Sequence, residues 1–248
     1  MPEDLVLRED IDGLALLTLN RPDKLNSINH AIFEHLERHV ADLERADSGI
    51  GCVVLRGAGR CFSAGHDLSD ISAGEAQDFG YESKVIERLA CLPQAVIAAV
   101  HGHCYTGALE LALAGDIILA SHSARFADTH AKWALTPVWG MTQRLPRRVG
   151  FAKAREMMFT AKTYSGAEAL AMGLANACYD DDLFEQEVIA FARQILENSP
   201  FSVAGYKRLM EATDGMPVRF GLAHEVHNTE GVGPDMAERI ARFAQRKG

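Results

Sequence analysis

The sequence predicts an α/β fold: a mainly parallel sheet wound with helices, continued by a helical C-terminal region. Three observations carry this expectation. Short apolar runs, "CVVLRG", "AVIAAV" and "IILAS", alternate with segments whose apolar residues recur at helical spacing, the signature of βαβ units. Two of these runs open directly into loops of small residues, "CFSAGHDLS" and "HGHCYTGALEL", as the strands of ligand-binding α/β sheets do. After about Gly140 the pattern becomes almost wholly helical. The expected organisation is an α/β core over residues 1–195 and a helical region over residues 196–248.

Each element has its own signal. "LVLRED" and "LALLTLN" read as two strands around a turn at Asp12-Gly13, because Asp-Gly suits the left-handed positions of a tight hairpin. "LNRPDKLNSIN" is a polar loop. From His30 the apolar residues Ile32, Phe33, Leu36, Val40 and Leu43 mark one face of a helix. A second helix is expected from about Tyr81 to Leu92, a third in "GALELALAGD", and a strand in "ARFAD". "SGAEALAMGL" carries a serine at a plausible N-cap. "DLFEQEVIAFARQILENSP" stops before Pro200, and two or three further helices run to Lys247.

Composition narrows the function classes. A chain of 248 residues and 27.1 kDa suits one large domain, alone or with a small appendage. A net charge of -9 and a pI near 5.6 match neither nucleic acid nor an anionic membrane surface. No apolar run approaches the roughly 18 residues of a membrane span. The start, "MPEDLVLRED", lacks the basic and apolar parts of a signal peptide. The five cysteines are scattered without a C-x-x-C pair, so reduced thiols in a cytoplasm are expected.

Several catalytic motifs are missing. There is no G-x-S-x-G elbow. Gly102 and Gly107 have P-loop spacing, but Ala108 and Leu109 follow instead of lysine and serine or threonine. No G-x-G-x-x-G follows a strand. "HGHC" puts His101 and His103 on one side of an expected strand. No carboxylate or further cysteine lies beside the two histidines, so structural roles are expected for both.

The two glycine loops carry the chemistry. Gly107 opens a helix, so its N–H is one of the orphan donors at the positive end of the dipole. The N–H of His66, in the other loop, can converge with it. Two such donors form an oxyanion hole that stabilises charge on a carbonyl oxygen. Glu110, three residues further, can stand beside that pocket, or it can simply favour the dipole of its own helix. Trp133 and Trp139 can wall the pocket and limit the ligand's length, or they can serve ordinary packing.

Taken together, "LTLNRPDKLNSIN", "CFSAGHDL", "AAVHGHCYTGALELALAGDIILAS", "TPVWGMTQRLPRRVG", "SGAEALAMGLAN" and "RIARFAQRKG" resemble the crotonase superfamily, also called the enoyl-CoA hydratase/isomerase family. The resemblance covers nearly the whole chain in the expected order. It implies a superhelix of stacked ββα units, with a helical C-terminal trimerisation region and assembly as a homotrimer or a hexamer. It also implies an acyl-CoA thioester as ligand, no metal or redox cofactor, and backbone N–H groups of His66 and Gly107 on the thioester oxygen. Ala64, Gly65, Asp67 and Leu68 match a loop along the CoA path, and Lys24 matches a possible phosphate contact.

The family's hydratases hold one water between two glutamates. The first corresponds to Glu110. The second, twenty positions later, is His130 here, and no glutamate occurs between Glu110 and Glu156. Asp128 is the carboxylate nearest to His130 in sequence, and it faces the same side if the strand continues. The family's three glycines before the first glutamate are reduced to Thr106-Gly107-Ala108. Three readings follow. Glu110 and His130 can act as a pair and hydrate an enoyl thioester. Glu110 can act alone, as in an isomerase or another enolate reaction such as decarboxylation. The pocket can also bind acyl-CoA without turnover.

Overall fold

The computed structural model describes residues 4–67 and 79–245. Strands β1 (Val6–Ile11) and β2 (Leu14–Leu19) pair antiparallel. Asp12 and Gly13 turn between them with φ of 49° and 83°, as a two-residue hairpin of this hand requires. Strands β3 (Cys52–Gly57), β4 (Ala95–Val100), β6 (Ile117–Ser121) and β9 (Ala177–Tyr179) continue the sheet in parallel. The order is β1-β2-β3-β4-β6-β9.

Side chains alternate across this sheet. Leu17, Leu19, Val53, Leu55, Val96, Ala98 and Ile118 join the core shared with helix α1 (His30–Leu43). Leu14, Leu16, Val54, Ile97 and Leu119 face the other way. There they meet Phe184, Val188 and Ala192, spaced four apart on helix α7 (Phe184–Leu196). Burial on both faces explains why these strands read as continuous apolar runs. Each fully buried leucine or phenylalanine contributes about 1.5–3 kcal/mol.

A second, smaller ladder runs beside the first. It contains β5 (His103–Tyr105), β7 (Arg125–Ala127) and β8 (Tyr164–Ser165), in the order β5-β7-β8. Single parallel bridges, Ile28 to His66 and Ser63 to Cys104, extend the pattern to earlier turns. The chain thus winds as a spiral of ββα turns. A long strand enters the large sheet, a short segment enters the small ladder, and a helix follows: β2, Ile28, α1; then β3, Ser63 to His66, α2 (Phe79–Ala90); then β4, β5, α3 (Gly107–Ala112). The next turn, β6 and β7, leads into a 3₁₀ helix over His130–Trp133.

Two expectations need correction. His101 and His103 do not share a strand, because Gly102 breaks the chain between β4 and β5 with φ of 54°. The strand in "ARFAD" ends at Ala127, so His130 opens a 3₁₀ helix instead of ending a strand. The stretch after Gly140 is almost wholly helical, as expected, with β8 and β9 interrupting it. These strands are two and three residues long, too short to show a period of two. Helices α4 (Met141–Val149), α5 (Phe151–Thr160) and α6 (Gly166–Ala171) lie around them. Ser165 caps α6 through a reciprocal capping box with Glu168.

The last three helices, α8 (Pro200–Ala212), α9 (Val218–Asn228) and α10 (Met236–Gln245), have no buried residue. Large apolar side chains stand out from them, including Met210, Val218 and Val226, each more than 70% exposed. Among the described residues, no helix is long and apolar enough to cross a membrane.

Candidate active site

Successive turns of the spiral bring three corners together. The first holds Gly65 and His66, the second Thr106 and Gly107, the third Asp128 to His130. Gly65 has φ of 105°, and a Cβ there would lie 2.6 Å from the Tyr105 carbonyl oxygen. Only glycine lets the two corners approach so closely. At Gly107 a Cβ would strike the Trp139 ring at 2.5 Å, and that same point lies 3.5 Å from the His66 backbone nitrogen. The first residue of α3 therefore lies against the His66 backbone N–H.

Thr106 sits in a left-handed region, with φ of 52° and ψ of -111°, which is costly for a β-branched residue. The third corner holds it there. Its N–H donates to the Ala127 carbonyl at 2.8 Å, and its hydroxyl meets that of Thr129 at 2.5 Å and accepts from the Thr129 N–H at 3.1 Å.

Glu110 is 1% exposed. Its Oε1 accepts the backbone N–H groups of Trp139 at 2.9 Å and Met141 at 3.1 Å. Met141 is the first residue of α4, so the carboxylate caps another helix as well as lying in the first turn of its own. With Oε1 fixed, Oε2 faces His130, whose Nε2 is 3.6 Å away. That distance exceeds a hydrogen bond. Burial pushes the Glu110 pKa above its ordinary value. The N–H of Met141, the imidazole of His130 and the N–H of Trp139 pull it down, and Asp128 pushes it up.

His130 is 7% exposed and Asp128 is 1% exposed. Asp128 Oδ1 accepts the His130 backbone N–H at 3.1 Å and lies 2.6 Å from ring Nδ1. Sequence spacing placed Asp128 on the same side as His130 if the strand continued; the strand ends at Ala127, and the start of the 3₁₀ helix brings the carboxylate onto the His130 ring instead. The only local signal is D-x-H at a strand end.

Glu110, His130, His66, Gly107, Ala64, Trp133 and Trp139 all line one pocket of about 310 Å³. Trp139 closes one side. Its ring packs edge-on against Phe33 at 5.0 Å and tilted against the His66 ring at 4.9 Å. Its Nε1–H donates to the buried Glu82 carboxylate at 3.1 Å. Sequence reading gave no sign of Glu82. Trp133 is 55% exposed and stands at the rim. Trp139 also borders an outer cavity of about 820 Å³ walled by Glu87, Asp116, Arg144, Arg147, Lys207 and Glu211.

Lys24, Gly65 and Asp67 do not line the pocket. Lys24 is exposed on a 3₁₀ turn over Pro22–Lys24. Asp67 holds Arg21 and the Ser27 hydroxyl, each at 3.2 Å. Leu68 lies outside the described residues. Asn26, fully buried, braces the loop: its side-chain amide donates to the carbonyls of Ala58 and Cys61, and its Oδ1 accepts the Arg21 N–H. His101 meets the Gly59 carbonyl at 3.0 Å and His103 meets the Tyr105 hydroxyl at 3.0 Å. Among the described residues, no cluster of three or more metal-ligating side chains occurs.

The sequence profile of the enoyl-CoA hydratase/isomerase family matches residues 9–245. The short-chain-enoyl-CoA hydratase of Clostridium acetobutylicum is 36% identical, over 89% of this chain and 86% of that protein. The 1,2-epoxyphenylacetyl-CoA isomerase of Escherichia coli K12 is 31% identical, over 98% and 97%. The crystal structure of enoyl-CoA hydratase from Bacillus anthracis superimposes with a TM-score of 0.92 at 30% identity, covering 98% of this chain and 96% of that one.

Proposed function

The chain belongs to the enoyl-CoA hydratase/isomerase family, and from that premise we propose that it hydrates the double bond of a short 2-enoyl-CoA thioester. The observation that carries this reading is the facing of Glu110 Oε2 and His130 Nε2 at 3.6 Å, in a pocket that also contains the corner of His66 and Gly107.

The thioester oxygen is placed against the N–H groups of His66 and Gly107, which draw electrons from the conjugated double bond. Glu110 acts as the base. Its Oε2 takes a proton from water as the water oxygen bonds to the carbon β to the thioester. The electron pair of the double bond moves toward the thioester oxygen as an enolate. Protonated His130 returns a proton from Nε2 to the α carbon, and the enolate collapses to the carbonyl. One proton then passes from Glu110 to His130, restoring both groups, and the net change is the addition of one water. His130 thus occupies the place of the second glutamate, as an imidazole whose Nε2 can give and take a proton opposite Glu110.

Trp139 favours short acyl groups. A longer chain would have to displace the indole and enter a cavity walled by charged side chains. The apolar side chains exposed on α8, α9 and α10 favour self-association, as a trimer or a hexamer of two trimers.

A second reading rests on the presence of one glutamate instead of two: Glu110 alone moves a proton between carbons, as an isomerase does. Steady-state assays on 2-enoyl-CoA and 3-enoyl-CoA thioesters separate the readings. Hydration is expected in the wild type, with Glu110→Gln and His130→Ala each lowering kcat by about 10²–10⁴-fold. Full isomerase activity in His130→Ala, without hydration in the wild type, would establish the second reading. Tight acyl-CoA binding with background turnover would overturn both.

A further inference from the structure

We propose that Asp128 is a positioning residue for His130: it holds the ring in the tautomer with hydrogen on Nδ1, and so makes Nε2 the exchanging atom that faces Glu110. This rests on the reading of Glu110 and His130 as an acid–base pair.

An ionised carboxylate only accepts hydrogen bonds. At 2.6 Å from Asp128 Oδ1, Nδ1 must therefore be the donor. Nε2 is left to carry the mobile proton, 3.6 Å from Glu110 Oε2. The opposite tautomer would set a bare Nδ1 against a carboxylate and tie the ring hydrogen to Nε2. Both partners are buried, so water does not substitute for the contact. A partner on one ring nitrogen that fixes the role of the other is how imidazole bases are oriented in general.

A purely local role is the competing explanation. The bond from the His130 N–H to Asp128 Oδ1 is an Asx turn that starts the 3₁₀ helix, and Asp128 would serve it whatever the ring did. The same oxygen, however, holds both the backbone N–H and the ring nitrogen. The Thr129 side chain at the nominal cap makes no cap bond, so the start of the helix and the orientation of the ring are both assigned to Asp128. Asparagine makes the same turn equally well but has no charge and offers the ring either an oxygen or an NH₂ group. Asp128→Asn therefore separates the two roles.

The test combines kinetics with a direct reading of the ring. Asp128→Asn is expected to keep the wild-type melting temperature and KM while kcat for hydration falls by about 10²-fold. In a His130→Ala background the same change is expected to cost less than about twofold, because residues that act as a unit are not additive. ¹⁵N NMR of the histidine rings is expected to show neutral His130 protonated on Nδ1 in the wild type and on Nε2, or on a mixture, in Asp128→Asn. A wild-type ring protonated on Nε2, or an equal kinetic cost in both backgrounds, overturns the proposal. If the wild type proves inactive, the acid–base reading falls, and the NMR measurement still decides the tautomer.

Discussion

Glu110 is held in a setting that works against its own charge. Burial raises its pKa above the ordinary value near 4.5, and the donors around it only partly offset that rise. The folded chain therefore binds more protons than the unfolded chain between the two values. The stability contributed at this site is fully present below the ordinary value and is lost as pH rises through the raised one. Glu110→Gln keeps an oxygen for the N–H groups of Trp139 and Met141 but has no charge to desolvate. It is expected to raise the melting temperature by a few degrees at neutral and alkaline pH, with the gain fading as pH falls below 4.5. Thermal denaturation across a pH series checks this, and a gain independent of pH would contradict it. The sequence reached Glu110, His130 and Gly107 through the glycine loop and the motifs that resemble the family, and all three line one pocket. The contact between Asp128 and His130 was not legible, since it depends on where a three-residue strand stops. Glu82 was not legible either, because its indole partner is 57 residues away.

Elements with self-contained signals were legible, and those completed by distant partners were not. Helix α1 buries the residues its periodicity marked: Ile32, Phe33, Leu36, Val40 and Leu43. The serine expected to cap "SGAEALAMGL" does so, with Glu168 bonding back to the Ser165 N–H at 2.8 Å. Ser165→Ala is expected to cost about 1 kcal/mol, a drop of about 2–4 °C in Tm for a chain of this size. Differential scanning calorimetry measures it, with activity retained because α6 contributes nothing to the pocket lining. By contrast, β5, β8 and β9 exist through their neighbours. Each has two or three residues, and its hydrogen bonds go to strands far along the chain.

At the scale of the molecule, the alternation of strands and helices predicted the parallel sheet, because parallel strands need crossovers, while the spiral of ββα turns was implied by the resemblance to the family. The sequence could not show which apolar helix faces remain uncovered within one chain. Phe220 on α9 is 53% exposed and Val226 is 71% exposed. We propose that further copies of the chain cover both. Replacing Phe220 and Val226 together with glutamate is expected to shift the mass in analytical ultracentrifugation toward 27.1 kDa, while the α/β core stays folded by circular dichroism. A wild type already at that mass would remove the argument for self-association.

Trp139 touches both ends of the problem a substrate presents. Its indole bounds the pocket and its backbone N–H holds Glu110 Oε1 at 2.9 Å. On the function proposed above, we expect a chain long enough to push the indole to strain the residue whose amide holds Glu110 Oε1. We propose that the residue then acts as a gauge wired to the reaction, so that oversize substrates are penalised in turnover more than in affinity. Across acyl lengths, kcat is expected to fall more steeply than 1/KM. Trp139→Ala is expected to flatten that slope while lowering kcat for the shortest substrate, the signature of a ruler whose reading is taken at the catalytic carboxylate.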